Sequence, residues 1–365
     1  MSGFLLALLM LAASPAEESF DVLSRRAAEA RDAKRLDEAL GLYRKALKLR
    51  PAWEEGRFEA GMLAYDLDKY AECAADFRKL VEARPDLTSA WTMAGLCEYR
   101  LRDYRAALKS LSQAERQGKP NELAPVARLH LALVLIKTGN YEKAVTLLVD
   151  LTRVEHKTPE IIVAAGIAGL RRPWTPPEVP ESDRDLVYKL GDAMTSAMEK
   201  FGFATDHTAA IEKFELAARD YPKEPNVHFR FGAYLAFIDQ PERGIQEIRK
   251  ALELDPGHIP ALVALSSIYL KRGEPQAARG YAEKAVTISP DDFAAHLMLG
   301  RALLPLGDAA AAVRELETSV RLGPENPDAH FSLADAYAQL GRTADASRER
   351  EEFKRLRKLL DSKQP

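Results

Sequence analysis

Much of what this chain lacks narrows what it can be. Only two of its 365 residues are cysteine, Cys73 and Cys97, too few for the cross-linked scaffold that small exported domains rely on. No stretch approaches the roughly 20 apolar residues of a membrane-spanning helix. Charge of one sign is missing as well. The 52 Lys and Arg stand against 55 Asp and Glu, a net charge of -3, and no block of one sign marks a tail for nucleic acid or an anionic membrane. There is no Gly-Lys-Ser/Thr phosphate loop, no Gly-x-Ser-x-Gly elbow, and no His-x-x-x-His or His-Glu-x-x-His. Several common catalytic devices are thereby excluded, and no catalytic residue, metal site or cofactor is expected.

What is present is a period. Pro222, Pro256, Pro290 and Pro324 are each 34 residues apart, and Pro51 and Pro85 repeat that step. Phe214, Ile248, Ala282 and Leu316 lie eight residues before the later prolines, and Ala217, Ala251, Ala285 and Ser319 five before. Gly273, Gly307 and Gly341 keep the same interval. A 34-residue period carried by helical segments is the signature of stacked helix-turn-helix units. Hydrophobic residues make up 47% and charged residues 29%, enough for a continuous core between neighbouring units and a solvated outside.

The segment Asp291–Pro324 shows the unit in full. His296, Leu299, Gly300 and Leu303 mark one face of a first helix, A; Gly307-Asp308 turns; Ala312, Leu316 and Ser319 mark a second helix, B, closed by Pro324. The small residue at Gly300 lets helix B approach, and the proline cannot continue the helix. This pattern resembles the tetratricopeptide repeat (TPR) family. The resemblance covers roughly residues 20–170 and 184–357 and implies an all-α fold, an α-solenoid of stacked helix-turn-helix units in two blocks.

The boundaries are read as follows. Phe4 to Ala13 is apolar and Ser14-Pro15-Ala16 follows with small residues, so residues 1–16 read as an export signal. That places the mature chain in the periplasm or outside the cell. An N-terminal helix against the first repeat is the alternative, and it would leave the chain cytoplasmic. An N-terminal TPR block spans 17–170. Residues 171–183 carry four prolines within eight positions and form a joint, either a hinge or an ordered strap packed by Trp174 and Val179. The C-terminal block spans 184–358, ending in a charged capping helix over Arg348–Lys358. Cys73 takes a slot held by Ala39 and Ala107 in neighbouring repeats, so the two cysteines are expected as free structural thiols.

His228, His296 and His330 share one motif position. Equivalent positions on successive helices are too far apart to share a metal, so all three are expected to be packing residues. In TPR arrays the A helices line a concave groove for peptides or partner helices. Carried onto this chain, the groove positions are Phe58, Met62 and Tyr65, then Met93, Leu96 and Tyr99, then His130 and Leu133. Glu59, Met62, Met93 and Leu96 replace the Asn and basic residues of the class that grips chaperone tails, which argues against that ligand. The expected function is a non-catalytic scaffold that binds a segment of a partner protein on its concave face. A carrier of a glycan or lipid-like ligand, or an accessory subunit of an enzyme complex, are the alternatives.

Overall fold

The computed structural model describes residues 18–118, 122–155, 157–199 and 206–361. The expected leader over residues 1–16 and the Phe201-Gly202-Phe203 stretch lie outside them. The described residues form nineteen α-helices and three short 3-10 turns, with no strand among them. The fold is all-α, a solenoid class of stacked helical hairpins. Two compact units divide between Val134 and Leu135.

The first unit contains α1 (Phe20–Asp32), α2 (Leu36–Leu49), α3 (Glu54–Asp66), α4 (Tyr70–Ala83), α5 (Thr88–Arg100), α6 (Tyr104–Gln117) and most of α7 (Ala124–Lys137). Its core runs from Leu23 on α1 through Tyr43, Leu63 and Phe77 to Met93 and Cys97. Alanine recurs where helices touch: Ala39 and Ala107 are fully buried, so B helices sit close to their A partners. Cys73 occupies the same slot on α4 and is not a free thiol. It forms a disulfide with Cys97 of α5, the Cα atoms 6.1 Å apart and both residues fully buried. The small slot lets the two backbones approach within the span a disulfide requires. Sequence spacing could not show this, because the partner lies on the next repeat's A helix.

The second unit begins with the end of α7 and continues with α8 (Tyr141–Glu155), α9 (Pro159–Leu170), α10 (Arg184–Glu199), α11 (Thr208–Asp220), α12 (Pro225–Phe237), α13 (Pro241–Leu254) and α14 (Ile259–Lys271). It closes with α15 (Pro275–Ile288), α16 (Phe293–Leu303), α17 (Ala309–Leu322), α18 (Pro327–Gln339) and α19 (Thr343–Asp361). The Pro-rich segment lies between α9 and α10 and folds as two 3-10 turns, Pro176–Glu178 and Glu181–Asp183. The helices it connects pack backbone to backbone. A Cβ at Gly166 would stand 1.9 Å from the Val187 carbonyl oxygen, and one at Gly191 1.9 Å from that of Ile162. Val179 and Thr175 of the segment are buried, and Trp174 is half-buried. Its ends are tied by charge: Arg171 donates to Glu142 at 2.7 Å, and Lys137 to Glu178 at 2.6 Å. Burial would raise the Glu178 carboxyl, but Lys137 and the Thr175 backbone N–H outweigh it and hold its pKa at about 2.

The periodic residues have clear mechanical roles. Every one of the six periodic prolines follows directly on the C-cap of a B helix, as Pro51 follows Arg50 and Pro324 follows Gly323. The turn between A and B places one residue in the left-handed region in unit after unit. These are Lys34, Asp68 and Arg102 early in the chain, then Asp239, Gly273, Gly307 and Gly341. Helix α19 has Leu356 buried and carries ion pairs such as Lys354–Glu351 and Arg355–Glu352.

Candidate partner-binding face

The candidate positions fall on three successive A helices of the first unit: Phe58, Met62 and Tyr65 on α3, Met93, Leu96 and Tyr99 on α5, His130 and Leu133 on α7. Their depths differ. Met93, Leu96 and Leu133 are buried at 2%, 3% and 6% exposure, so they form the floor of this face and belong to the core. Phe58, Met62, Tyr65, Tyr99 and His130 are half-buried, and any contact with a partner falls to them.

Those five are held by their neighbours. Phe58 meets Phe77 of α4 edge to face at 5.3 Å, which ties its ring toward the hairpin interior. Tyr65 packs edge-on against Tyr70 at 5.7 Å, and one repeat later Tyr99 repeats the contact with Tyr104 at 5.9 Å. The Arg100 guanidinium lies over the Tyr70 ring at 4.4 Å. Tyr99 also meets the His130 imidazole edge to face at 5.0 Å, which joins α5 to α7. His130 donates from Nδ1 to the Val126 carbonyl at 2.8 Å. Burial lowers its pKa from the ordinary histidine value, so at neutral pH it is an uncharged polar edge. The face is aromatic and pre-packed, and its charges stand at its margins and in pairs, as in Arg31–Glu59 at 2.9 Å, which suits amphipathic contact.

The A helices also carry a recurring slot that sequence reading did not find. A residue on helix A, six positions after the repeat's proline, donates to that proline's carbonyl. Trp91 Nε1 donates to Pro85 at 2.9 Å, Arg57 to Pro51, and the Nε2 atoms of His228, His296 and His330 to Pro222, Pro290 and Pro324 at 3.1, 2.9 and 3.0 Å. Because the proline ends its helix, that carbonyl has no helical partner and must be met otherwise. Nineteen residues on, helix B supplies a matching side chain. Arg57 meets Asp76 at 3.5 Å, with Arg44 adding 2.7 Å from the preceding B helix. His228 meets Glu247 at 2.8 Å, His296 meets Glu315 and His330 meets Glu349, both at 2.7 Å. Where helix A carries an uncharged residue, helix B does too: Leu23 with Leu42, Trp91 with Ser110, Leu262 with Tyr281. The fourth repeat departs from the rule, since Arg128 turns to Glu115 on α6 at 3.1 Å.

Among the described residues no group of three or more His, Cys, Asp or Glu could hold a metal, and no helix is long and apolar enough to cross a membrane. An open cleft of about 540 Å³ lies among α11, α12 and α13, with Glu215, Arg219, His228, Arg243 and Glu247 on its walls. Its side chains pair with one another, as in Arg243–Glu215 at 2.9 Å and His228–Glu247 at 2.8 Å.

Helical hairpins that repeat every 34 residues and carry side-chain roles at fixed offsets define an all-helical repeat protein. Two tetratricopeptide repeat family models match residues 58–122 and 99–162, and the model of the middle TPR-like domain of cilia and flagella-associated protein 70 matches residues 216–357. The chain belongs to the tetratricopeptide repeat family. No curated protein matches it in sequence. Among solved structures, a crystal structure of MamA is 20% identical, covering 45% of this chain and 96% of that one at a TM-score of 0.39. MamA 41-end from Desulfovibrio magneticus RS-1 is 21% identical over 48% and 98%, with a TM-score of 0.38. The APC/C hetero-tetramer Cut9-Hcn1 is 15% identical over 93% and 80%, with a TM-score of 0.37. Nothing about function follows from likeness at that level.

Proposed function

We propose that this chain is a non-catalytic scaffold that holds a segment of a partner protein against the A-helix face of its first unit. The observation that carries the reading is the row Tyr65, Tyr99 and His130 on successive A helices, half-buried over a floor of Met93, Leu96 and Leu133. Rings already packed edge to face lose little rotamer freedom on binding, so contact there is cheap in entropy. The concave setting of that face is taken from the family, and so is the partner's form, an extended or helical segment. The C-terminal block (184–358) serves as a second docking surface or rigid spacer, with the Pro-rich segment (171–183) as its joint to the N-terminal block (17–170).

The same reading places the chain in an exported, oxidising setting. The Cys73–Cys97 disulfide supports it, since such bonds persist outside the reducing cytosol, and so does the apolar run at Phe4–Ala13.

The test is a pull-down with the full chain as bait, with the captured species analysed by mass spectrometry. Tyr65→Ala/Tyr99→Ala should lose the protein captured by the wild type while keeping its helicity. Equal capture by both proteins would refute the face. A glycan or lipid-like molecule retained in native mass spectrometry, with no protein captured, would favour the carrier reading instead.

A further inference from the structure

We propose that the second unit is a proton-sensitive element, in which three His–Glu pairs between helices A and B hold together only while each pair retains one proton more than a neutral imidazole facing a carboxylate. The argument is hydrogen-bond arithmetic. In each pair the histidine Nε2 lies 2.9–3.1 Å from a proline carbonyl, which can only accept, so Nε2 must carry a hydrogen. The Nδ1 atom lies 2.7–2.8 Å from a glutamate oxygen. A neutral imidazole already protonated at Nε2 presents a lone pair at Nδ1, and an ionised carboxylate presents another. Two acceptors at that distance repel. The contact is attractive only with an imidazolium facing a carboxylate, or an imidazole facing a carboxylic acid, and both forms carry the same additional proton.

The surroundings make that proton consequential. The paired side chains are largely out of water, at 7% and 14% exposure for His228 and Glu247, 9% and 27% for His296 and Glu315, and 7% and 13% for His330 and Glu349. Each histidine stands in the first turn of its helix, where the helix dipole opposes a cation, so the glutamate and the carbonyl must supply the stabilisation. Neighbouring charges differ from pair to pair. Lys250 of α13 lies against Glu247 at 2.7 Å; Arg348 of α19 lies 3.7 Å from Glu349, and Glu352 of the same helix faces His330; His296 meets Glu315 from α17 and the Pro290 carbonyl from the turn before α16. For His228 the bond to Glu247 outweighs burial and raises its pKa from the ordinary value. The chain contains its own controls. The α14–α15 hairpin carries Leu262 and Tyr281 in the same two positions, and the first unit uses Leu23, Arg57 and Trp91 there. None of these exchanges a proton near neutrality.

The sign follows from linkage. A histidine that gains a partner on folding stabilises the fold fully below its ordinary range of about 6.5, and that stabilisation is lost as pH rises and the proton leaves. Proton loss therefore loosens α12–α13, α16–α17 and α18–α19.

The experiment uses the full chain with ¹⁵N-labelled histidine. At pH 7.5 the nitrogens of His228, His296 and His330 should all show the doubly protonated or strongly shared pattern, whereas His258 should show a neutral tautomer. Urea unfolding of the second unit is then followed between pH 6 and pH 9. The folding equilibrium constant should fall several-fold as pH rises across this range. Glu247→Gln/Glu315→Gln/Glu349→Gln should flatten that dependence, because an amide N–H can donate to a neutral Nδ1. Neutral tautomers at all three sites in the wild type at pH 7.5 would overturn the proposal. So would equal pH dependence in wild type and the Gln variant. If the variant does not fold, the wild-type nitrogen spectrum decides alone.

Discussion

The two units solve the same structural problem with different side chains. Five of the six periodic prolines have their carbonyl met by a donor six residues on, and that donor stands opposite a residue of helix B. In the first unit the donor is Arg57 or Trp91, and the opening repeat replaces donor and partner with Leu23 and Leu42. A guanidinium is charged at every physiological pH and an indole at none. In the second unit the donor is histidine at three of the four hairpins from α12 to α19. The geometry is shared, so the difference lies in what the solution can change. One unit has a fixed electrostatic frame, further locked by Cys73–Cys97. The other has a frame whose charge depends on pH.

The sharpest way to break this comparison is to remove one member of the fixed pair. Asp76 is 3% exposed between Arg44 and Arg57, and burial raises its pKa despite both cations. Asp76→Leu leaves Arg57 facing an apolar side chain and should cost about 3 kcal/mol in urea unfolding of the first unit. Arg57→Leu/Asp76→Leu imports the Leu23–Leu42 solution and should recover most of that loss. If the double variant is no better than the single one, the pairing rule between helices A and B fails.

Next in size is the disulfide. Its cysteines are 24 residues apart, and a loop of that length corresponds to about 3 kcal/mol in the chain-entropy treatment. Cys73→Ser, or reduction by dithiothreitol, should speed amide exchange in α4 and α5 and leave α14–α19 unchanged. Faster exchange throughout would mean that the two units do not unfold separately.

Histidine alone does not make a repeat respond as the His–Glu pairs do, and His258 shows why. It caps α14, accepting from the Ala261 N–H at Nδ1 and donating from Nε2 to Asn226 Oδ1 at 3.1 Å. Both bonds are satisfied by a neutral ring, and burial pushes its pKa down to about 4. Its contribution therefore has the opposite sign, present above about 6.5 and lost as pH falls toward 4. His258→Asn keeps a capping side chain while removing the titration, and should lower the acid midpoint of unfolding relative to the wild type. An unchanged midpoint would remove His258 from the account.

The smallest effect concerns the turns. Lys34 and Arg102 adopt φ of 56° and 61° at a position that holds glycine in the last three hairpins. Lys34→Gly and Arg102→Gly should each stabilise the first unit by up to about 1 kcal/mol, since the left-handed region is strained for side chains of this kind. Gly307→Ala should destabilise the second unit by a similar amount. Thermal melts of the single variants would show both signs.

These results also show what the amino-acid order could and could not convey. The proline interval and the small residues at Gly300 and Ala107 were enough to place the helices, because those constraints act within one hairpin. The left-handed turn was visible at Gly273 and hidden at Lys34, where an ordinary side chain accepts the same conformation. The Cys73–Cys97 bond was missed because it joins helix B of one repeat to helix A of the next, an offset no single-repeat motif displays. The His–Glu pairing was missed for a related reason: its partners are nineteen residues apart, on different helices. The signal was nonetheless present as matched changes between repeats, with His and Glu, Leu and Tyr, Arg and Asp substituted together. On the candidate face, helical spacing gave no measure of depth, so Met93, Leu96 and Leu133 were grouped with the half-buried side chains Phe58, Met62, Tyr65, Tyr99 and His130.

The proline carbonyl has one more implication. Where Arg57, Trp91 or a histidine meets the periodic proline, the B helix hands the chain to the next A helix through a single oxygen, and the side chain that meets this oxygen sits just inside the new helix. Successive hairpins are thus coupled by small, separate hooks, each of which evolution can retune without disturbing the apolar seam alongside. A lineage could harden, soften or sensitise one joint by exchanging two residues, and leave every other joint as it was.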